Sequence, residues 1–167
     1  MNDVVERIEC AFPETGTPSS ANLALDSCSF CVAIHGALSG RRWQAVPRET
    51  LEEQAGSLAQ LIPAAFVYYL PAFMRGAIEY PEKPGVGSSE LLDFTVQCLG
   101  DPRLPEDEWW RERMTMLSEQ QSNAVASFLE WVVNRLAGDE EEDRLRNQAQ
   151  RALEKHWGRY LPKPEAG

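Results

Sequence analysis

The clearest hydrophobic pattern of this chain lies between residues 118 and 136. Apolar side chains recur there at three- and four-residue steps, which is the spacing of one face of an α-helix. Ser118 and Gln121 have the spacing of a capping box, in which each side chain accepts a hydrogen bond from the backbone of the other. The pattern therefore predicts a helix whose buried face consists of Val125, Phe128, Leu129, Val132 and Leu136.

Residues 61–80 form the most apolar part of the chain, with five aromatic side chains and two prolines. The run is too interrupted to cross a membrane, so we expect it to be core or a surface that a partner covers. Pro63 suits the first turn of a helix, where the missing N–H is not needed. Pro71 would remove an internal hydrogen bond and either kink one helix or separate two. We predict the break, with helices over Ala64–Tyr69 and Ala72–Glu79.

Caps and breakers divide the rest of the chain into further helices, and no strand-like alternation of useful length is present. The fold class predicted is all-α, as a single compact domain of about six to eight helices over residues 1–167. Residues 12–138 form its core, 139–160 a C-terminal helix and 161–167 a tail, with Trp43 and Trp131 as large core side chains. The other predicted helices are Val4–Ala11, one from Ser20 or Asn22 to about Ser39, Arg48–Leu61 with a Thr50–Glu53 capping box, one from Ser88 or Ser89 to Leu99, and one that begins at Asp139.

The balance of charge narrows the classes of partner. The chain has 167 residues, and its 16 basic and 26 acidic side chains give a formal net charge of −10. Nucleic-acid binding is disfavoured because neutralising phosphates requires clustered Lys and Arg, and anionic membrane surfaces would repel the protein. A basic protein is the natural electrostatic partner, although acidity also serves solubility alone.

The N-terminal residues interrupt their apolar positions with charges and contain no signal-peptide core. No run reaches the roughly 20 apolar residues of a membrane-spanning helix. We therefore expect a cytoplasmic protein. In that compartment cysteines are ordinarily reduced thiols, and this chain has four of them: Cys10, Cys28, Cys31 and Cys98.

The segment Cys28-Ser-Phe-Cys31, followed by His35, is the strongest candidate for chemistry. On a helix these three residues stand at i, i+3 and i+7, so they can share one face. They could supply half of a zinc site, which needs four ligands, or a redox pair, although the βαβ context of a thioredoxin-like motif is missing. The alternative is that the cysteines are small core residues. The other candidate ligands are isolated in the sequence: Cys10, Cys98 and His156.

No catalytic constellation is visible, so we expect a protein without catalytic residues or cofactor. A Gly-x-Ser-x-Gly elbow and a phosphate-binding loop are both missing from the sequence. Paired carboxylates lie on predicted helix surfaces, where charged side chains are usually solvated.

Two adjacent tryptophans suggest a binding surface, because neighbouring residues of a helix cannot face the same core. Trp110 is followed by apolar residues at helical spacing and should point inward, which leaves Trp109 near the surface. Exposed tryptophans are common anchors of protein interfaces, but Trp109 could also simply cover a loop end. The predicted binding residues are Trp109, Glu106, Asp107 and Glu108.

Three ordered motifs resemble those of a bacterial family of small helical proteins of unknown function. They are Trp43, the segment Phe66-x-Tyr68-Tyr69-Leu70-Pro71, and Leu117-Ser118-x-x-Gln121 with the following Phe128-Leu129-Glu130-Trp131. The resemblance covers roughly Phe12 to Leu136 and does not include the cysteine pair. It implies a compact helical domain and no known activity.

The expected function is a non-enzymatic, acidic protein-binding module. By analogy with other small acidic bacterial proteins, one form of this function is an immunity or inhibitor protein that neutralises a toxin. The alternative is a metal- or thiol-dependent protein built on Cys28, Cys31 and His35.

Overall fold

The computed structural model is all-α, as predicted, and eight α-helices fall within its described residues, the upper end of the expected range. These helices are α1 (Asp3–Ala11), α2 (Ser29–Leu38), α3 (Arg48–Glu53), α4 (Pro63–Glu79), α5 (Glu90–Leu99), α6 (Glu108–Thr115), α7 (Glu119–Arg135) and α8 (Asp143–Lys155). The structure describes residues 3–13, 16–18, 23–24, 28–83, 87–100, 108–140 and 142–162.

Short elements accompany these helices. In the described part of the chain, 3-10 helices cover Trp43–Ala45 and Ala55–Gln60 between α-helices, and Trp157–Tyr160 after α8. The strands β1 (Glu82–Lys83) and β2 (Gly87–Ser88) pair antiparallel, with Glu82 opposite Ser88. None of the described helices is long and apolar enough to cross a membrane.

Helices α4 and α7, with 17 residues each, are the longest of the described helices. Helix α4 packs against α1, α3, α5 and α6, and α7 packs against α1 and α8. Gly76 allows the close approach at α4, because a Cβ at this position would lie 2.9 Å from Leu51 Cδ1 and 3.0 Å from Leu91 Cδ2. A larger residue at position 76 would have to shift the ends of the Leu51 and Leu91 side chains.

The predicted helix after Ser118 is confirmed as α7. Ser118 Oγ accepts a hydrogen bond from the Gln121 N–H at 3.2 Å, and Gln121 Oε1 accepts one from the Ser118 N–H at 2.9 Å. Ser89 likewise caps α5, as one of the two predicted candidates. Trp43 lies in the core, but Trp131 is only half-buried and stacks on Phe128. The predicted face of α7 is buried: Val125, Phe128, Leu129, Val132 and Leu136.

The predicted break at Pro71 is wrong, because α4 runs without interruption from Pro63 to Glu79. A proline inside a helix costs about 3 kcal/mol or more. Tyr69, Leu70 and Phe73 on either side of it are fully buried, and burial of each large apolar side chain contributes about 1.5–3 kcal/mol. The packing of a continuous helix therefore outweighs the single lost hydrogen bond.

The predicted start of the second helix is also wrong. Helix α2 begins at Ser29, with Cys28 as its N-cap, whereas Ser20 and Asn22 lie outside the described residues. Ala24 forms an isolated β-bridge with Leu61, and Leu23 O accepts a hydrogen bond from the Ile62 N–H at 2.9 Å. These contacts hold residues 23 and 24 extended, so the helix cannot include them.

Two further boundaries differ from the prediction. Helix α3 ends at Glu53 and continues as the 3-10 helix, and its N-cap is Pro47 without a side-chain cap, so the Thr50–Glu53 capping box does not form. A proline at that position already sets the entry geometry of the first turn. The last helix begins at Asp143 and not at the predicted Asp139, after a turn in which Gly138 adopts the left-handed conformation (φ +86°).

Candidate functional site

The start of α2 places two thiols in contact. Cys28 is the N-cap residue, and its Sγ accepts a hydrogen bond from the Cys31 N–H at 3.2 Å. The two sulfur atoms are 2.7 Å apart. Cys28 is exposed, whereas Cys31 is 1% exposed and packs in the core. One thiol is therefore accessible from solvent and the other lies directly behind it.

The buried thiol also contacts the neighbouring 3-10 helix. Cys31 Sγ lies 3.9 Å from Gln60 Oε1, a distance at which a thiol donates a weak hydrogen bond to an amide oxygen. Helix α2 packs against the Ala55–Gln60 segment through its buried residues. The orientation of Cys31 is therefore set by tertiary packing as well as by the helix.

His35 is half-buried on α2, one turn beyond Cys31. In the part of the chain that the structure describes, no group of three or more His, Cys, Asp or Glu side chains is arranged to hold a metal ion. The structure thus brings Cys28 and Cys31 together, and it adds no further ligand to that pair within the described residues.

The outward face of α2 is apolar and exposed. Phe30 is 67% and Val32 61% exposed, and the ten residues of the helix contain neither a carboxylate nor a Lys or Arg. A helix that is apolar on all sides is usually buried on all sides. We call the exposed residues of this helix the α2 outer face: Ser29, Phe30, Val32, Ala33 and Gly36.

Sequence reasoning missed the α2 outer face. The available signal was a ten-residue segment without a polar stripe, which predicts complete burial and gives no indication of which side is left open. The open side depends on where α2 packs, against the 3-10 helix that follows α3.

Trp109 is half-buried on α6, where it covers a buried arginine. The Arg113 guanidinium lies 4.7 Å from the ring centroids of both Trp109 and Phe66. Arg113 is 4% exposed, and its Nη2 donates hydrogen bonds to the carbonyl oxygens of Ala59 and, at 2.9 Å, Leu61. Trp109 therefore has a packing role whether or not it binds a partner.

Of the acidic residues expected beside Trp109, the structure describes Glu108. Glu108 is exposed in the first turn of α6. Glu106 and Asp107 lie outside the described residues. The binding surface predicted from these residues stays a prediction.

A cavity of about 270 Å³ lies between Phe12, Pro13, Gly16 and Pro18 on one side and residues of α4 and α7 on the other. Its walls include Trp43, Val67, Tyr68 and Gln121. The indole N–H of Trp43 donates to Phe12 O at 3.2 Å, and Gln121 is used in the capping box. The polar groups of these two side chains therefore serve the fold, and the volume is below the usual 300–1,000 Å³ of small-molecule sites.

His156 is surrounded by aromatic rings at the junction of α6 and α8. Its ring centroid lies 4.9 Å from that of Trp110 and 4.7 Å from that of Trp157. Burial lowers the pKa of His156, and the nearby Arg159 lowers it further. Since Trp110 packs here, the inward orientation predicted for it agrees with this contact.

The remaining cysteines are separate from the α2 pair. Cys10 is exposed on α1, and Cys98 is partly buried on α5. Burial raises the pKa of the Cys98 thiol to about 11, although Arg113 opposes this rise. Cys98 therefore has little nucleophilic thiolate at neutral pH.

The fold and these surfaces define an all-α protein with a cysteine pair at a helix start and an exposed apolar helix face beside it. The chain belongs to a family of unknown function, DUF6714, whose model matches residues 1–161. The resemblance to an uncharacterised family is thus confirmed, and the match extends past α7 to include α8. Neither a curated protein nor a solved structure gives a significant match to the chain.

Proposed function

We propose that the protein is a non-enzymatic protein-binding module that contacts a basic protein through the α2 outer face. The observation that carries this proposal is the exposure of Phe30 and Val32 on a helix without a charged side chain. Single exposed apolar residues are common on protein surfaces and need no explanation. Here, however, apolar or small residues occupy the whole outward side of a helix.

Burial of these side chains against a partner is more favourable than their permanent exposure to water. Burial of a large apolar side chain contributes about 1.5–3 kcal/mol, so Phe30 and Val32 together offer several kcal/mol to a complex. Gly36 has no heavy atom within 4 Å of the position of a Cβ, which leaves room for close backbone approach by another element.

Charge identifies the kind of partner. The net charge of −10 attracts a basic protein at long range and repels acidic ones, a second copy of this chain included. The α2 outer face itself is uncharged, so it can be desolvated without the cost of burying an ion. Charges would thus steer the encounter, and the apolar residues would hold the complex.

We also propose that Trp109 with Glu106, Asp107 and Glu108 adds a second contact region. The protein would act in the cytoplasm as an immunity or inhibitor protein, which is supported by the analogy of its size and acidity with other small acidic proteins. Co-expression should then protect cells from a toxic partner, and a non-toxic partner would rule out the inhibitor role.

Site-specific photo-crosslinking tests the contact surface. A benzophenone amino acid would replace Phe30 in the full chain, and a matched control would carry it at Met116, an apolar residue that is 48% exposed in the turn before α7. We expect a defined crosslink to a basic protein from position 30 and none from position 116. Equal crosslinking at both positions, or none at position 30, would contradict the proposal.

Binding kinetics with the captured protein then test the apolar contact and the electrostatic steering separately. Val32→Glu should weaken binding about tenfold or more, mainly through faster dissociation, whereas Met116→Glu should leave it nearly unchanged. The association rate should fall as salt rises, because surface charges are screened beyond about 8 Å at physiological ionic strength. An unchanged affinity of Val32→Glu would exclude the α2 outer face, and a salt-independent association rate would exclude the electrostatic part.

A further inference from the structure

We propose that Cys28 and Cys31 are a redox-active dithiol that reduces a disulfide substrate and closes into an intramolecular disulfide. This inference does not rest on the protein-binding proposal, because the exchange is carried out by the two sulfurs and is stoichiometric rather than catalytic. Its basis is the arrangement of one accessible and one buried thiol in direct contact at the start of α2.

The two sulfurs are in direct contact, and a disulfide bond would bring them to roughly 2.05 Å. A spacing of i and i+3, with the first residue at the N-cap, places both side chains at the same helix end.

Burial assigns different roles to the two thiols. Cys28 is exposed and can meet a substrate, whereas Cys31, at 1% exposure, can reach only what is already attached to Cys28. The thiolate is the nucleophile in thiol–disulfide exchange. The Cys31 N–H, which donates to Cys28 Sγ at 3.2 Å, and the positive end of the helix dipole both stabilise negative charge on that sulfur.

The exchange balances without another oxidant or reductant. The Cys28 thiolate attacks one sulfur of the substrate disulfide, forms a mixed disulfide and releases the other sulfur as a thiolate. Cys31, after losing its proton to solvent, attacks Cys28 Sγ and releases the second substrate sulfur as a thiolate. The substrate gains two electrons and becomes two thiols, and the protein's dithiol becomes a disulfide.

The surroundings allow a substrate to reach Cys28. The two residues between the cysteines, Ser29 and Phe30, are both exposed. Phe30, two residues after Cys28, is 67% exposed and offers an apolar contact to a substrate that approaches this end of α2. The substrate class is a disulfide, and glutathione disulfide and a protein disulfide are its two sources.

Thiol counting with glutathione disulfide tests the proposal directly. The reduced chain has four thiols, and we expect two to be lost, with release of two glutathione molecules per chain and a disulfide mapped to Cys28 and Cys31. The Cys31→Ser variant should stop with one glutathione bound to Cys28. The Cys28→Ser variant should form no internal disulfide at this site. Cys10→Ser is the matched control and should behave as the wild type.

Two outcomes would overturn the proposal. One is a wild-type protein that keeps glutathione on Cys28 without forming the internal disulfide. We expect iodoacetamide to alkylate Cys28 about tenfold or more faster than exposed Cys10. The other contradicting outcome is an alkylation rate of Cys28 no higher than that of Cys10.

The source of the substrate is decided by a second probe, a synthetic peptide closed by one disulfide and carrying apolar residues beside it. A rate with this peptide that exceeds the glutathione disulfide rate, and that falls in Phe30→Ser, identifies protein disulfides as the substrate. A faster reaction with glutathione disulfide identifies the small molecule. Failure of both probes to oxidise the pair contradicts the proposal.

Discussion

Replacement of Arg113 by Met is the most informative single test of the fold around the aromatic run. The guanidinium is buried, donates to the carbonyl oxygens of Ala59 and Leu61, and lies between the rings of Phe66 and Trp109. Methionine keeps most of the apolar stem but removes the donor, so the variant isolates the polar contribution.

The expected loss is about 2–4 kcal/mol. Each buried carbonyl left without a donor costs about 1–3 kcal/mol, and loss of two ring contacts by the cation adds about 1–2 kcal/mol. The desolvation cost of the buried cation disappears in the variant and offsets part of this sum. The free energy of unfolding of Arg113→Lys should lie between those of the wild type and of Arg113→Met, because an ammonium can reach one carbonyl oxygen but lacks the planar fork of a guanidinium.

Urea denaturation at pH 7 measures the effect as a lower midpoint at constant slope. A double-mutant cycle with Trp109→Ala should then show a coupling of about 0.5–2 kcal/mol, since the two side chains are in contact. If Arg113→Met unfolds at the wild-type midpoint, the buried cation does not stabilise the fold. The contact of α6 with the end of the Ala55–Gln60 segment then needs another explanation.

The remaining predictions concern α7 and the aromatic cluster. Phe128→Ala should lower the free energy of unfolding by about 3–5 kcal/mol, as for other buried aromatics. The control Glu130→Ala, at an exposed position of the same helix, should change it by less than about 0.5 kcal/mol. Equal urea midpoints for the two variants would show that Phe128 is not part of the core. Because burial, and then Arg159, lower the pKa of His156 below 6.5, the unfolded chain takes up this proton first as the pH falls. Stability should therefore decrease below about pH 6.5, and His156→Gln should flatten that part of the profile; an unchanged profile would refute the assignment.

Local sequence signals predicted what is local in the structure. The capping box of α7 and its buried face depend on residues three or four positions apart, so the pattern after Ser118 was sufficient. The continuity of α4 through Pro71 was not predictable in this way, because it depends on burial of both flanks by elements distant in sequence. The start of α2 was missed for the same reason: Ala24 is held by Leu61, 37 residues away.

The candidate site shows the same division. The spacing of Cys28 and Cys31 indicated a shared helix face, but only the position of the helix start shows that Cys28 is the N-cap and that its sulfur meets that of Cys31. The sequence predicted that Trp110 points inward and that Trp109 lies near the surface. In the structure both side chains are half-buried. Arg113 beneath Trp109 gave no signal in a helix rich in charged residues.

The contact of α1 with α7 has a consequence for synthesis of the protein in the cell. Helix α1 packs on α7, and the first residue of α7, Glu119, is 108 positions after the last residue of α1, Ala11. At roughly 5–20 residues per second, a ribosome needs about 5–20 seconds to cover that distance. During this interval Ile8 and its neighbours on α1 have no α7 to pack against. We therefore expect folding to be completed late in translation, because the side of α1 that packs on α7 stays uncovered until α7 emerges, even after α4 has been made.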